Sequence, residues 1–98
     1  MEKLLDDTLR KFFFDLLKLK NTKNMIMKIY IKYGKQDIKI TAKMFYDELN
    51  NYDYTDPSSL LLMNGYLKFN KINMNKINKE KINKYLKNIY ILSKQIVN

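Results

Sequence analysis

Between Ile26 and Leu67 the chain alternates helix-spaced apolar residues with short runs that stop helices. Ile26, Met27, Tyr30 and Tyr33 share one helical face, and Gly34 follows them. Ile38-x-Ile40 reads as a short extended link into Thr41, whose hydroxyl suits an N-cap. Ala42, Phe45, Tyr46 and Leu49 then recur at i, i+3, i+4 and i+7. Asn50-Asn51 forms a stop, because Asn tolerates the left-handed backbone that ends helices. A further helix is expected over 57–64. Asp56 is its N-cap, and Pro57 stands where a missing N–H costs nothing. Ser58 and Ser59 fill its first turn, Leu60 to Met63 continue it, and Gly65 ends it. Tyr66-Leu67-Lys68-Phe69 alternates as a strand.

The flanks are helical as well. Leu5, Leu9, Phe12, Phe13, Leu16, Leu17 and Lys20 keep helical spacing across 2–20, with acidic residues early and basic ones late. Phe12-Phe13-Phe14 widens that apolar arc beyond one contact, so part of it is either core or a surface for a second subunit. Residues 24–33 carry two signals. Met25, Met27, Ile29, Ile31 and Tyr33 alternate as in a hairpin strand, while Ile26, Met27, Tyr30 and Tyr33 fit a helix. Helix is favoured, because the segment beyond Gly34 continues with a capped helix. Residues 70–78 are rich in Asn and read as loop, and Lys-Ile-Asn recurs at 71, 76 and 81 with a period matching neither helix nor strand. Ile82, Tyr85, Leu86, Ile89, Leu92 and Ile96 mark a last amphipathic helix over 79–97.

Ninety-eight residues suit one domain (1–98), given a common size of roughly 100–150 residues. The net charge of +9 favours a polyanionic partner. The chain holds 18 Lys, 12 Asn, 11 Ile and 8 Tyr, together half of it, and a single Arg at position 10. AT-rich coding produces that skew, so part of the Lys excess is expected to be solvated surface without function. Six of the nine net charges lie in 55–98, where Lys68, Lys71, Lys76, Lys79, Lys81, Lys84 and Lys87 face only Glu80 within twenty residues. No apolar run reaches the roughly 18 residues of a membrane span. Asp6, Asp7, Arg10 and Lys11 interrupt any leader-like segment, so an intracellular, cytoplasmic protein is expected.

Catalysis has little to work with. The chain has no His and no Cys, which removes the commonest general base, thiolate nucleophile and soft metal ligands. Asp6-Asp7 and Asp47-Glu48 sit on expected helices where exposure is the default, and Asp56 is accounted for as a cap. Two glycines do not build a phosphate-cradling loop. No enzyme, cofactor or metal site is expected.

The stretch 24–77 resembles the winged helix-turn-helix superfamily. Tyr33-Gly34, Ile38-x-Ile40-Thr41-Ala42, Glu48-Leu49 and Gly65-Tyr66-Leu67 carry the likeness. It implies a mainly α (α+β) winged helix with extra N- and C-terminal helices. In size, charge and organisation the chain is similar to TubR-type centromere-binding adaptors of phage and plasmid DNA segregation. The implied function is a dimeric DNA-binding repressor or segregation adaptor of an AT-rich bacterium, phage or plasmid host. Thr55, Ser58, Ser59 and Asn64 would meet base edges, and Lys68, Lys71, Lys76 and Lys79 would meet phosphates. Phe12, Phe13, Leu16, Ile89 and Ile96 would form the homodimer contact. Two other expectations stand beside it. One is a phage- or virus-encoded protein that binds a protein partner without DNA, and the other an RNA-binding, ribosome-associated protein.

Overall fold

The computed structural model describes residues 1–19, 22–52 and 75–98, together with the backbone of two short strands. Four helices dominate it: α1 (Glu2–Leu17), α2 (Lys23–Gly34), α3 (Ile38–Leu49) and α4 (Lys76–Val97). Strands β1 (Leu61–Leu62) and β2 (Leu67–Lys68) pair antiparallel, with Leu61 opposite Lys68 and Leu62 opposite Leu67.

This is a helical fold, and the winged helix expected from the sequence is corrected. The overall expectation of a mainly α chain is consistent with it. A wing needs a β-sheet, whereas the described residues offer two strands of two residues each. Leu61-Leu62, expected inside a helix begun by Pro57, is strand. A run of four Leu and Met residues has no helical periodicity of its own, so the pairing with Leu67-Lys68 decides its conformation. The remainder of the 57–64 expectation, Gly65 included, lies outside the described residues. Nor do α2 and α3 form a tight helix-turn-helix pair, because α2 rests chiefly on α1, and α3 chiefly on α4.

Each helix follows from identifiable local chemistry. Leu5, Leu9, Phe12, Phe13 and Leu16 give α1 a continuous buried face, as the spacing predicts. α1 ends at Leu17, three residues before the expected limit, and the chain turns there on Thr22. That residue is fully buried, and its hydroxyl donates to Leu16 O at 2.6 Å or Leu19 O at 2.8 Å. Thr22 thus satisfies carbonyls left over at the end of α1 rather than capping α2. The ambiguous segment 24–33 is helical, as favoured, with Ile26 and Ile29 buried.

α3 begins earlier than expected. Ile38-x-Ile40 is its first turn and Asp37 its N-cap, with Lys39 N donating to Asp37 Oδ1 at 2.9 Å. Ile38, Ala42, Phe45 and Leu49 keep one helical stripe inward, while Ile40 faces solvent. Thr41, expected as the cap, is buried within the first turn instead, where its hydroxyl accepts from Gln36 Nε2. Asn50 does end α3, but with right-handed angles of φ −59° and ψ −33°. α4 also starts early, at Lys76. Asn75 caps it by accepting from Asn78 N at 2.8 Å, so Asn at the end of an apparent loop is a helix start.

The core draws on all four helices. Phe12 lies 5.6 Å from Tyr85 and 5.5 Å from Phe13, ring centre to ring centre. Phe13 stacks on Tyr33 at 6.0 Å, and Tyr33 meets Phe45 at the same distance. This chain of rings links α1, α2, α3 and α4. A 22-residue helix measures about 33 Å, close to the 34 Å long axis of the molecule, so α4 runs its full length.

Candidate nucleic-acid interface

Ile82, Leu86, Ile89 and Leu92 bury one face of α4, and the opposite face carries its charge. At 100° per residue, Lys76, Lys87 and Lys94 fall within about 20° of one another, with Lys84 about 80° away. All four are exposed. Glu80 is the single acidic residue of the helix and sits in the middle of this face. The row from Lys76 to Lys94 spans about 27 Å along the axis. Lys79 lies half-buried on the flank, and Lys81 turns toward α1, where its ammonium is 3.2 Å from Asp15.

The N-terminal end of α4 is more basic than helix electrostatics favours. No acidic residue occupies its first turn, while Lys76 and Lys79 add positive charge to the positive end of the dipole. Each such placement opposes the helix by about 0.3–1 kcal/mol at an exposed site. An anion bound there relieves both.

Asp15 organises the neighbouring wall. It accepts from the Tyr85 hydroxyl at 2.5 Å and lies near Lys81 and Lys18. The Tyr85 hydrogen bond, ahead of the two lysines, holds the Asp15 carboxyl below its usual range, although burial works the other way. The same bond pushes Tyr85 up to about 12. On the far side α3 is fastened to α4 by a Tyr46–Tyr90 stack at 5.7 Å and by Tyr90 Oη donating to Asn50 Oδ1. Tyr52 Oη donates to Asn83 Oδ1 at 3.0 Å.

The residues expected to touch DNA fall into two groups. Lys76 and Lys79 lie together on the first turns of α4, in a helix rather than a wing. Thr55, Ser58, Ser59, Asn64 and Lys71 lie outside the described residues, and Lys68 is described only as backbone of β2. Of the expected dimer contacts, Phe12, Phe13, Leu16 and Ile89 are buried in the core of the chain itself, and Ile96 is packed against that core. Wide apolar arcs on α1 and α4 therefore face each other. Sequence reasoning missed Lys94, which stands five helical turns from Lys76. Starting the last helix at Asn75 rather than Asn78 would have put the two in one row.

No protein-family model, curated protein or solved structure matches this chain.

Among the described residues no helix is long and apolar enough to cross a membrane.

Proposed function

We propose that this protein binds nucleic acid, duplex DNA foremost, through the outer face of α4. The observation that carries the reading is the concentration of exposed Lys76, Lys84, Lys87 and Lys94 on one side of a 22-residue helix whose single acidic residue is Glu80. A row of ammonium groups suits a regular line of phosphates, and each lysine that neutralises one releases counterions. Lysine contacts of this kind position a protein on DNA without selecting sequence. The α4 face carries Lys but no Arg, so the bidentate guanine contact is absent from it. Roles as a repressor or as a DNA-segregation adaptor both need such an anchor, and either would take its selectivity from elsewhere.

The test is a gel-shift salt series with the triple variant Lys76→Gln/Lys84→Gln/Lys94→Gln. A control of equal net charge carries Lys28→Gln/Lys35→Gln/Lys39→Gln, on α2, the turn after it and α3. The α4 variant is expected to flatten the slope of log affinity against log salt by about 2.7, at about 0.9 for each phosphate no longer neutralised. The control should leave the slope within experimental error. Equal loss in both variants would reduce the effect to net charge and remove α4 as the site. Tighter binding to single-stranded RNA than to duplex DNA would move the proposal to RNA.

A further inference from the structure

α1 and α2 enclose an open groove of about 530 Å³, lined by Phe13, Phe14, Leu17, Met27, Tyr30 and Tyr85 among others, with a floor that is mostly carbon. Phe14 is 62% exposed, Met27 43% and Tyr30 41%. Large side chains left open together along a groove mark an interaction surface. Charge surrounds the floor. Arg10 and Lys11 line one edge, and Lys18 holds its ammonium 5.0 Å from the centre of the Phe14 ring. Lys23 stands on the same helical stripe as Met27 and Tyr30.

Three carboxylates also lie nearby: Asp7, on the α1 stripe of Lys11 and Phe14, acts on Arg10 through its charge, and the other two are already engaged. Asp6 is held by Arg10 Nε at 2.8 Å, and Asp15 by Tyr85, Lys81 and Lys18. Lys11 and Lys23 have no carboxylate partner among the described residues. The groove is thus apolar below and positive on balance at its rim, where Arg10, Lys11, Lys18, Lys23 and Lys81 outnumber Asp6, Asp7 and Asp15.

We infer that this groove docks an amphipathic helix of a partner protein, with apolar anchors seated on Phe14, Met27 and Tyr30 and with Asp or Glu flanks facing the basic rim. Helix-in-groove binding needs this combination of a carbon floor and a complementary edge. A second copy of the chain fits poorly. Each copy carries +9, and two grooves placed face to face would bring together two rims that are each positive on balance. Duplex DNA fits poorly too, since a carbon floor offers its phosphates nothing, and single-stranded RNA that displaced the peptide from this groove would overturn the inference. The surface is separate from the lysine face of α4, so the protein would join a polyanion to an acidic protein segment.

Fluorescence anisotropy with capped helical peptides of about four turns tests the inference. One set has Leu and Phe anchors at i, i+3, i+4 and i+7 with Glu flanks, and a matched set has Lys flanks. The full chain should bind at least one Glu-flanked peptide with amide shifts in 10–17 and 27–30, and none of the Lys-flanked set. Phe14→Ala/Met27→Ala and Lys11→Glu/Lys23→Glu should each weaken binding by about tenfold or more. Phe14→Ala/Met27→Ala should keep its DNA affinity, which separates this inference from the α4 reading. Failure of every Glu-flanked peptide, equal binding of Lys-flanked peptides, or amide shifts elsewhere would overturn it. A concentration-dependent dimer in sedimentation that Phe14→Ala/Met27→Ala abolishes would overturn it in favour of a second copy.

Discussion

Thr22 shows how much one hydroxyl can decide. It is fully buried at the α1–α2 turn, and its single proton serves either of two carbonyls at the end of α1. Thr22→Val keeps the volume and removes the donor, leaving the buried Leu16 carbonyl with Leu19 N alone and taking a donor from the Leu19 carbonyl. A loss of about 1–2 kcal/mol is expected, read as a lower urea midpoint at unchanged slope, with Thr22→Ser restoring most of it. The Asp15–Tyr85 bond makes a second prediction at this scale, and its sign differs at the two ends of the pH scale. The Asp15 carboxyl is held low, so its contribution is present above the unfolded value of about 4 and fades as pH falls through the folded value. Tyr85 is held high, so its contribution is present below about 10 and fades as pH rises toward about 12. Tyr85→Phe should therefore lower Tm at pH 7 by several degrees, about 1 kcal/mol once partial exposure is discounted. The wild-type and variant melting curves should converge as pH falls through the folded Asp15 value and as it rises past about 12. A gap that stays constant over the whole pH range would mean that Tyr85 acts by packing alone.

Among the elements, α3 carries the clearest lesson about caps. Asp37 has extended backbone angles of φ −58° and ψ 134°, and its carboxylate meets Lys39 N, the second amide of the helix. Asp37→Ala is expected to cost about 1 kcal/mol, whereas Thr41→Ser, which keeps the hydroxyl, should cost less. The reverse order, measured by denaturant unfolding, would return the helix start to Thr41. Much of α1 and α4 was legible because Leu5-Leu9-Phe12-Leu16 and Ile82-Leu86-Ile89 follow a helical period no strand shares, whereas α2 carried a strand period as well. Starts were harder to read. At Ile38-Lys39-Ile40 three residues satisfy period two as easily as a first helical turn, and only tertiary burial of Ile38 with solvent exposure of Ile40 separates them. At 61–62 local propensity favoured helix and pairing with 67–68 won, as happens where a short apolar run lacks periodicity. The lysine face was half legible. Lys76, Lys84 and Lys87 stand out as charge, but their common face with Lys94 needs the start of α4 at Lys76.

For the molecule as a whole, the two proposed surfaces differ in how they should respond to salt. The α4 face works by charge alone, so its affinity should fall steeply as ionic strength rises, with the Debye length near 10 Å at about 0.1 M. The α1–α2 groove combines charge with burial of carbon, and a peptide seated on Phe14 and Met27 should keep most of its affinity at that salt. Titrating both probes on one sample at rising salt separates the two surfaces without any substitution.

Asp15 meets its hydrogen-bond donor seventy residues later in the chain, and the ring of Phe12 waits for that same Tyr85. In synthesis from the N-terminus, α1, α2 and α3 therefore have an open seam until α4 has been made. Closing so wide a loop is slow relative to helix formation. Until it closes, part of the apolar side of α1 faces water. The helix that would carry the lysine row is also the one that completes the interior.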